Sequence, residues 1–255
     1  MQSAFKVIIP ARYASTRLPG KPLLKIGERT LLEHVFHIAL RSGADEVIVA
    51  TDDVRIEEHA RGFGATVVMT SPDHPSGTDR INEALTTLGS NKDQIIVNLQ
   101  GDEYGLQPEL IGEVAQGLFL NPDKQMATLC ERIGDWKTWL DPNAVKVVMD
   151  TNNTALYFSR SPLPWGKSDA GQQSTPFSMV AYKHIGIYAY RADFLQTYAA
   201  LPRAQLEQQE SLEQLRALYY GYRIHVQKVP HKAGIEINTE EDLIRARAAV
   251  PAGST

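Results

Sequence analysis

The stretch Val7 to Pro22, VIIPARYASTRLPGKP, constrains the fold more than any other part of the chain. A short apolar run, Val7, Ile8 and Ile9, ends at Pro10 and reads as a buried strand of a parallel sheet. The residues after it cannot form a helix, because Pro19 and Pro22 lack amide donors, fix φ and flank Gly20. A long loop therefore leaves the carboxyl end of the first strand, the edge at which open α/β sheets bind their ligands. This loop carries Arg12, Arg17 and Lys21 and no acidic residue, among the small residues Ala14, Ser15, Thr16 and Gly20. Such a set is either a solvated basic loop or a cradle for a polyphosphate, and its place after the first strand favours phosphate. It is neither of the two commonest phosphate motifs. G-x-G-x-x-G is absent, and Gly20-Lys21 is followed by Pro22 rather than Ser or Thr.

The rest of the chain supplies the sheet. Thr30 is placed to cap a helix to about Arg41, with Leu31, Leu32, Val35, Ile38 and Ala39 on one face. Glu46 to Ala50 and Thr66 to Met69 read as strands, and Asp52-Asp53 as caps for a helix over Val54 to Arg61. Strands alternating with helices predict a Rossmann-like, mostly parallel α/β sheet. Ser71 to Arg80 is a turn-rich loop entering a helix near Thr78, where Ser76 and Gly77 serve either as ordinary cap chemistry or as a close approach for a planar base. Gln94 to Leu99 is a further strand that delivers Gln100, Gly101, Asp102 and Glu103 to the same sheet edge as the first loop. Magnesium takes one or two carboxylates plus phosphate oxygens, so Asp102 is the first candidate for a metal ligand.

Beyond Leu120, Met126 to Cys130, Ala144 to Met149 and Ala155 to Phe158 read as strands without long helices between them, and Lys167 to Gln173 as a polar loop. His184 to Tyr190 alternates in the manner of a strand. We expect residues 1–255 to form one domain, with a smaller, partly antiparallel extension over about 126–200 as the acceptor wall and dimer contact. Ser211 to Tyr220 reads as a helix closed by Gly221, with Glu213 and Gln214 off its apolar face. Arg223 to Val229 reads as a strand, and Thr239 is placed to cap a last helix through Arg247.

Composition narrows the function class. At 255 residues and 43% apolar the chain has an ample core, and its net charge of −4 gives no basic surface of the kind nucleic-acid binders carry. The single cysteine, Cys130, permits no intrachain disulfide, and no apolar run approaches membrane-spanning length. The expectation is a cytoplasmic protein without nucleic-acid or membrane partners.

PARYASTRLPGKPL resembles the signature of the 3-deoxy-manno-octulosonate (Kdo) cytidylyltransferases, the CMP-Kdo synthetases of lipopolysaccharide synthesis. VIVATDD, VMTSPDHPSGTDR, VNLQGDE, ALYFSRSPLPW, HIGIYAYR, SLEQLR, GYRIHV and TEEDLIRAR extend the resemblance along nearly the whole chain. It implies a magnesium-dependent homodimer that uses CTP and an acidic eight-carbon sugar. It places Pro10, Ala11, Arg12, Ser15, Arg17 and Lys21 on the triphosphate side, with Arg12, Lys21 and Asp102 in catalysis. Ser76, Gly77 and Gln100 would meet the base, and Arg160, His184, Tyr188, Glu213 and Gln214 the sugar acid, with Arg160 facing its carboxylate.

The chain also departs from the pattern it resembles. The family reads Gly-Val-Asp-Thr-Pro-Glu-Asp-Leu before its last helix, with that Asp as a second metal ligand. Here Glu236 stands in place of Gly and Asn238 in place of Asp, while Tyr104 to Gln107 replaces a Pro-rich turn. An amide is a weaker ligand than a carboxylate for a hard cation, and Glu236 brings negative charge toward the acceptor. The resulting expectation is an enzyme for the 8-amino-3,8-dideoxy sugar (Kdo8N), with Glu236 beside the amine. The alternatives are an ordinary Kdo enzyme, an enzyme for another acidic sugar such as a sialic acid, and a catalytically silent nucleotide binder.

Overall fold

The structure, a computed structural model, describes residues 4–14, 18–89, 91–166, 177–230 and 234–249, with the backbone alone at 235 and 236. The chain opens with β1 (Phe5–Ala11), a 3-10 turn (Lys21–Leu23), and the short ribbon β2 (Lys25–Ile26) and β3 (Arg29–Thr30). Then come α1 (Leu31–Leu40), β4 (Glu46–Thr51), α2 (Val54–Gly62), β5 (Thr66–Met69), α3 (Gly77–Leu88) and β6 (Ile95–Asn98). Next are β7 (Glu103–Tyr104), α4 (Pro108–Phe119), β8 (Met126–Arg132), α5 (Trp136–Leu140), β9 (Lys146–Met149) and β10 (Ala155–Ser159). The chain continues through β11 (Tyr182–Arg191), α6 (Ala192–Ala200), α7 (Gln205–Glu210), α8 (Gln214–Tyr219), β12 (Ile224–Lys228), β13 (Ile235–Glu236) and α9 (Glu240–Ala248).

The fold is α/β, as its strand pattern predicts. β1 lies between β4 and β6, parallel to both, and β5 extends the row beyond β4. Alternation along β1 divides the core. Val7 and Ile9 join Leu32, Val35, Ile56, Leu110 and Val114 on one face, and Ile8 joins Ile81, Leu85, Leu195 and Leu215 on the other. Each face of the parallel strands is thus covered by helices, which is why Val7 to Ile9 of β1 and Ile95 to Val97 of β6 are consecutive apolar residues.

β11 turns the sheet into a mixed one. Its second half runs antiparallel to β6, its start pairs with β9, and β8 lies along its other edge with β12 parallel beyond. The register shifts between Ile185 and Tyr188, so the strand bulges where it passes from one neighbour to the other. The strands expected over about 126–200 therefore extend the main sheet itself. The polar loop expected over Lys167 to Gln173 lies outside the described residues.

Local signals fix the helix ends. Thr30, Ser76 and Thr239 each accept an amide proton three residues on, from Glu33, Asp79 and Asp242. The helix expected from Ser211 does not begin there: Ser211 is left-handed at φ 52, separating α7 from α8. A buried pair clamps these two short helices together. Arg216 donates to both carboxylate oxygens of Glu207 at 2.8 and 2.5 Å, and Glu207 also accepts from the Ala204 amide at 3.1 Å. Arg216→Met should destabilise the fold by about 3–5 kcal/mol by stranding the Glu207 charge, and adding Glu207→Leu should restore part of that loss. Chemical denaturation of both variants checks the order.

Candidate active site

The carboxyl ends of β1 and β6 meet over a cavity of about 330 Å³, lined in part by Pro10, Ala11, Arg12, Lys21, Gln100 and Asp102. Ser76, Gly77, Arg80 and Asn238 complete its walls. Two glycines make this approach possible. A Cβ on Gly101 would lie 3.1 Å from the Pro10 carbonyl oxygen, and one on Gly77 would lie 3.2 Å from the Pro10 ring. The turn after β6 and the start of α3 thus press directly on the end of β1. Gln100 donates from Nε2 to Asn98 Oδ1 at 3.0 Å, which holds its amide beside Gly77.

Lys21 sits at the centre. Its Nζ lies 2.5 Å from Asp102 Oδ2 and donates to the Ile237 carbonyl at 3.0 Å, with both side chains less than one-fifth exposed. The loop that carries it is closed by Gly20, whose amide donates to the Tyr13 carbonyl at 3.1 Å. Gly20 has φ 67, and its Cα packs against the Tyr13 ring, so a side chain there would be both strained and crowded. Asp102 Oδ1 is buried and has no hydrogen-bond partner among the described residues. A buried carboxylate oxygen with an unused lone pair, in a cavity holding Arg12, Lys21 and Arg80, fits a hard cation that brings its own anionic ligands. Among the described residues no group of three or more His, Cys, Asp or Glu is placed to hold a metal ion.

Arg80 was given no role by its sequence. It is buried, lines the cavity, and donates to Thr70 Oγ1 at 2.5 Å and to Asp52 Oδ2 at 2.8 Å. Asp52 and Asp53, expected as joint caps, therefore separate: Asp53 accepts from the Arg55 amide at 2.9 Å, while Asp52 neutralises Arg80. The signal was present in an acidic residue just past β4 and an Arg in the first turn of α3, both at the same sheet edge. His74 also lines this wall, its ring held by the Glu83 carboxylate. The Ser71 amide and His74 together hold the Glu83 pKa below its ordinary value.

A second cavity of about 290 Å³ is lined by Glu103, Lys183, His184, Tyr188, Gln214 and Gly234, among others. Consecutive residues, Asp102 and Glu103, thus line one cavity each. Gln214 is buried rather than at a helix surface, and its Nε2 has no partner among the described residues. Burial and the neighbouring Lys183 charge lower the His184 pKa to about 3, so the ring is neutral at ordinary pH.

Two residues expected at the sugar do not line this cavity. Arg160 is spent on main-chain carbonyls, donating to Glu210 O at 2.7 Å and Pro142 O at 3.1 Å. Glu213 is turned toward α3, where it accepts from Thr78 Oγ1 at 3.4 Å, and burial raises its carboxyl pKa. Ser15 and Arg17 lie outside the described residues, as does the side chain of Glu236.

The cytidylyltransferase family profile matches residues 6–224 of this chain. A 3-deoxy-manno-octulosonate cytidylyltransferase of Hahella chejuensis is 50% identical over 257 residues, covering 99% of this chain and 100% of that protein. The chain belongs to the 3-deoxy-manno-octulosonate cytidylyltransferase family. Its relative in Pseudomonas fluorescens strain SBW25 is 49% identical over 249 residues, with 97% and 98% of the two chains covered. A solved CMP:2-keto-3-deoxy-manno-octonic acid synthetase complexed with CTP superposes with a TM-score of 0.87 at 42% identity, covering 96% of this chain and 98% of that one. A cytidylyltransferase of Leptospira borgpetersenii, at 18% identity and a TM-score of 0.59, shares the fold.

For a member of this family the lysine at the heart of the cavity is the sharpest test. Lys21→Ala should keep the fold, because few core contacts depend on the ammonium, and should lower turnover roughly 10²-fold or more through loss of a preorganised charge. Circular dichroism and a steady-state assay read the two parts separately. A folded variant with near-normal turnover would remove Lys21 from the chemistry.

Proposed function

We propose that this chain transfers CMP from CTP to the anomeric hydroxyl of a Kdo-type sugar acid and releases pyrophosphate. The observation that carries the reading is the pair of cavities meeting at Asp102-Glu103, one rich in cations and closely approached backbone, the other holding unpaired or neutral polar groups. CTP belongs in the first, with its base against Ser76, Gly77 and Gln100 and its phosphates toward Arg12 and Lys21. The acceptor belongs in the second. Its hydroxyl oxygen bonds to the α-phosphorus as the bridge to the β-phosphate breaks, and the hydroxyl proton is lost. Such chemistry is mainly positioning and charge stabilisation.

Magnesium is part of the proposal. Asp102 Oδ1 would hold it, with Asn238 in the same wall, and when bound it supplies neutralisation of phosphate charge. Lys21 fixes the Asp102 carboxylate through Oδ2 and keeps a cation beside the leaving phosphates. Asp102→Asn should abolish metal-dependent turnover while only weakening CTP binding, since Arg12, Lys21 and Arg80 remain. Activity that persists in EDTA would refute the metal assignment.

The finer proposal is an acceptor with an amine at C8. Glu103 lines the acceptor cavity, and β13 sets Glu236 opposite Glu103 in antiparallel register. Acidic positions facing each other at the cavity edge suit an ammonium group. One charge-assisted hydrogen bond corresponds to roughly 10- to 150-fold preference. The comparison is kcat/KM for the 8-amino and the 8-hydroxy sugar with CTP. Equal or better use of the 8-hydroxy sugar returns the chain to ordinary Kdo activation. Glu236→Gly with Asn238→Asp should move a real preference back.

We further propose a cytoplasmic homodimer. Trp165 and Val180 remain more than half exposed although Trp165 stacks on Trp139 within an aromatic cluster, which gives a second copy an apolar surface to cover.

A further inference from the structure

The acceptor cavity has a built-in polarity, and its source lies one strand away. Thr128, fully buried on β8, places Oγ1 2.9 Å from His184 Nε2, 3.1 Å from the Ile185 carbonyl and 2.8 Å from the Ile187 carbonyl. Those carbonyls belong to the segment where β11 changes register, between Ile185 and Tyr188. A hydroxyl has one proton, and a carbonyl oxygen can only accept. The Thr128 proton therefore goes to the bulge carbonyls, and the hydroxyl oxygen faces His184 with its lone pairs. For that 2.9 Å contact to be a hydrogen bond, His184 must donate it from Nε2.

His184 carries only one ring proton because burial keeps the imidazole neutral. With that proton on Nε2, Nδ1 bears a lone pair. The ring is pinned in place, edge-on to Phe158 at 5.1 Å and tilted against Tyr188 at 5.4 Å. Nδ1 makes no hydrogen bond with the described residues, and His184 lines the cavity. We infer that Thr128 is a positioning residue that locks His184 in its Nε2–H tautomer, so that Nδ1 meets the ligand of this cavity as a hydrogen-bond acceptor. The inference rests on the reading of this cavity as the acceptor site.

The chemical consequence is selective. An acceptor nitrogen takes a hydroxyl or an ammonium group and repels a carboxylate, which has only lone pairs to offer. The sugar carboxylate is therefore excluded from the His184 corner. Donors available to it among the residues lining this cavity include the Lys183 ammonium, which is shared with Glu131 at 3.2 Å, and Gln214 Nε2, which has no partner among the described residues. A hydroxyl or amine of the sugar faces His184 instead.

The test begins with the unaltered protein. Nitrogen-15 imidazole spectra of the full chain should show the His184 Nε2 protonated and Nδ1 as the bare, pyridine-type nitrogen. Addition of the sugar acid should move the Nδ1 resonance in the direction of a hydrogen-bonded acceptor. Thr128→Val removes the hydroxyl at nearly constant volume and should raise KM for the sugar roughly 3- to 10-fold, the worth of one neutral hydrogen bond, with KM for CTP unchanged. Thr128→Ser should restore both the tautomer and KM. A resting His184 with its proton on Nδ1 overturns the inference without any variant, so misfolding of Thr128→Val does not shelter it. An unchanged sugar KM in folded Thr128→Val overturns it too. A correct tautomer in a chain that turns over no acidic sugar counts against the transfer reading and leaves the Thr128–His184 lock supported.

Discussion

The ion pair of Lys21 with Asp102 is the contact on which the site depends. It joins the loop after β1 to the turn after β6, and the same ammonium reaches the Ile237 carbonyl near the start of α9. These three segments lie far apart in the chain and become neighbours because β1 and β6 are adjacent parallel strands and β13 pairs with β7. A charge pair with both members mostly buried costs desolvation, which its attraction must offset, so such a pair is poor evidence of stabilisation. Its value here is arrangement. One carboxylate oxygen is fixed by the Lys21 ammonium, while the other is buried and has no hydrogen-bond partner among the described residues.

β11 plays the corresponding part for the second cavity. As the antiparallel strand between β6 and β8, it ties the parallel strands to the later ones. Its two halves bring His184 and Tyr188 into one space with Gln214 from α8 and Glu103 from β7. The irregular backbone is held by Thr128, whose hydroxyl supplies what the ladder loses at the shift. A departure from regular pairing and the placement of a binding residue thus have one cause. The close packing of Gly234 against Tyr104 to Leu106 belongs to the same region. A Cβ on Gly234 would come 2.4 Å from the Leu106 amide nitrogen, so the backbone there approaches Tyr104 to Leu106 as only a glycine allows.

Much of this was legible in the chain itself. Prolines and a glycine after an apolar triplet marked a loop at a sheet edge, and strand-helix alternation marked the parallel core. Thr30, Ser76 and Thr239 announced their helices, because a cap is chemistry between residues three apart. Pro10, Lys21, Ser76, Gln100, Asp102 and Asn238, chosen from the sequence and its resemblance, line one cavity. Other expectations met a different outcome. Asp52 and Asp53 look alike in sequence, yet one caps α2 and the other neutralises the buried Arg80. Arg160 looked like a carboxylate ligand and instead donates to main-chain carbonyls.

Sequence alone determined the α/β class, the arrival of the first loop and Asp102 at one edge of the sheet, and the cationic character of that loop. Each of these follows from short-range facts: periodicity, missing amide donors and uncompensated charge. Tertiary structure decided which buried polar group answers which other. It paired Lys21 with Asp102, Arg80 with Asp52 and Thr128 with His184, it buried Gln214, and it turned Glu213 toward α3 rather than into the second cavity. Desolvation makes those pairings obligatory, but it acts only after the sheet has brought distant segments together, and nothing in local spacing records which segments will meet.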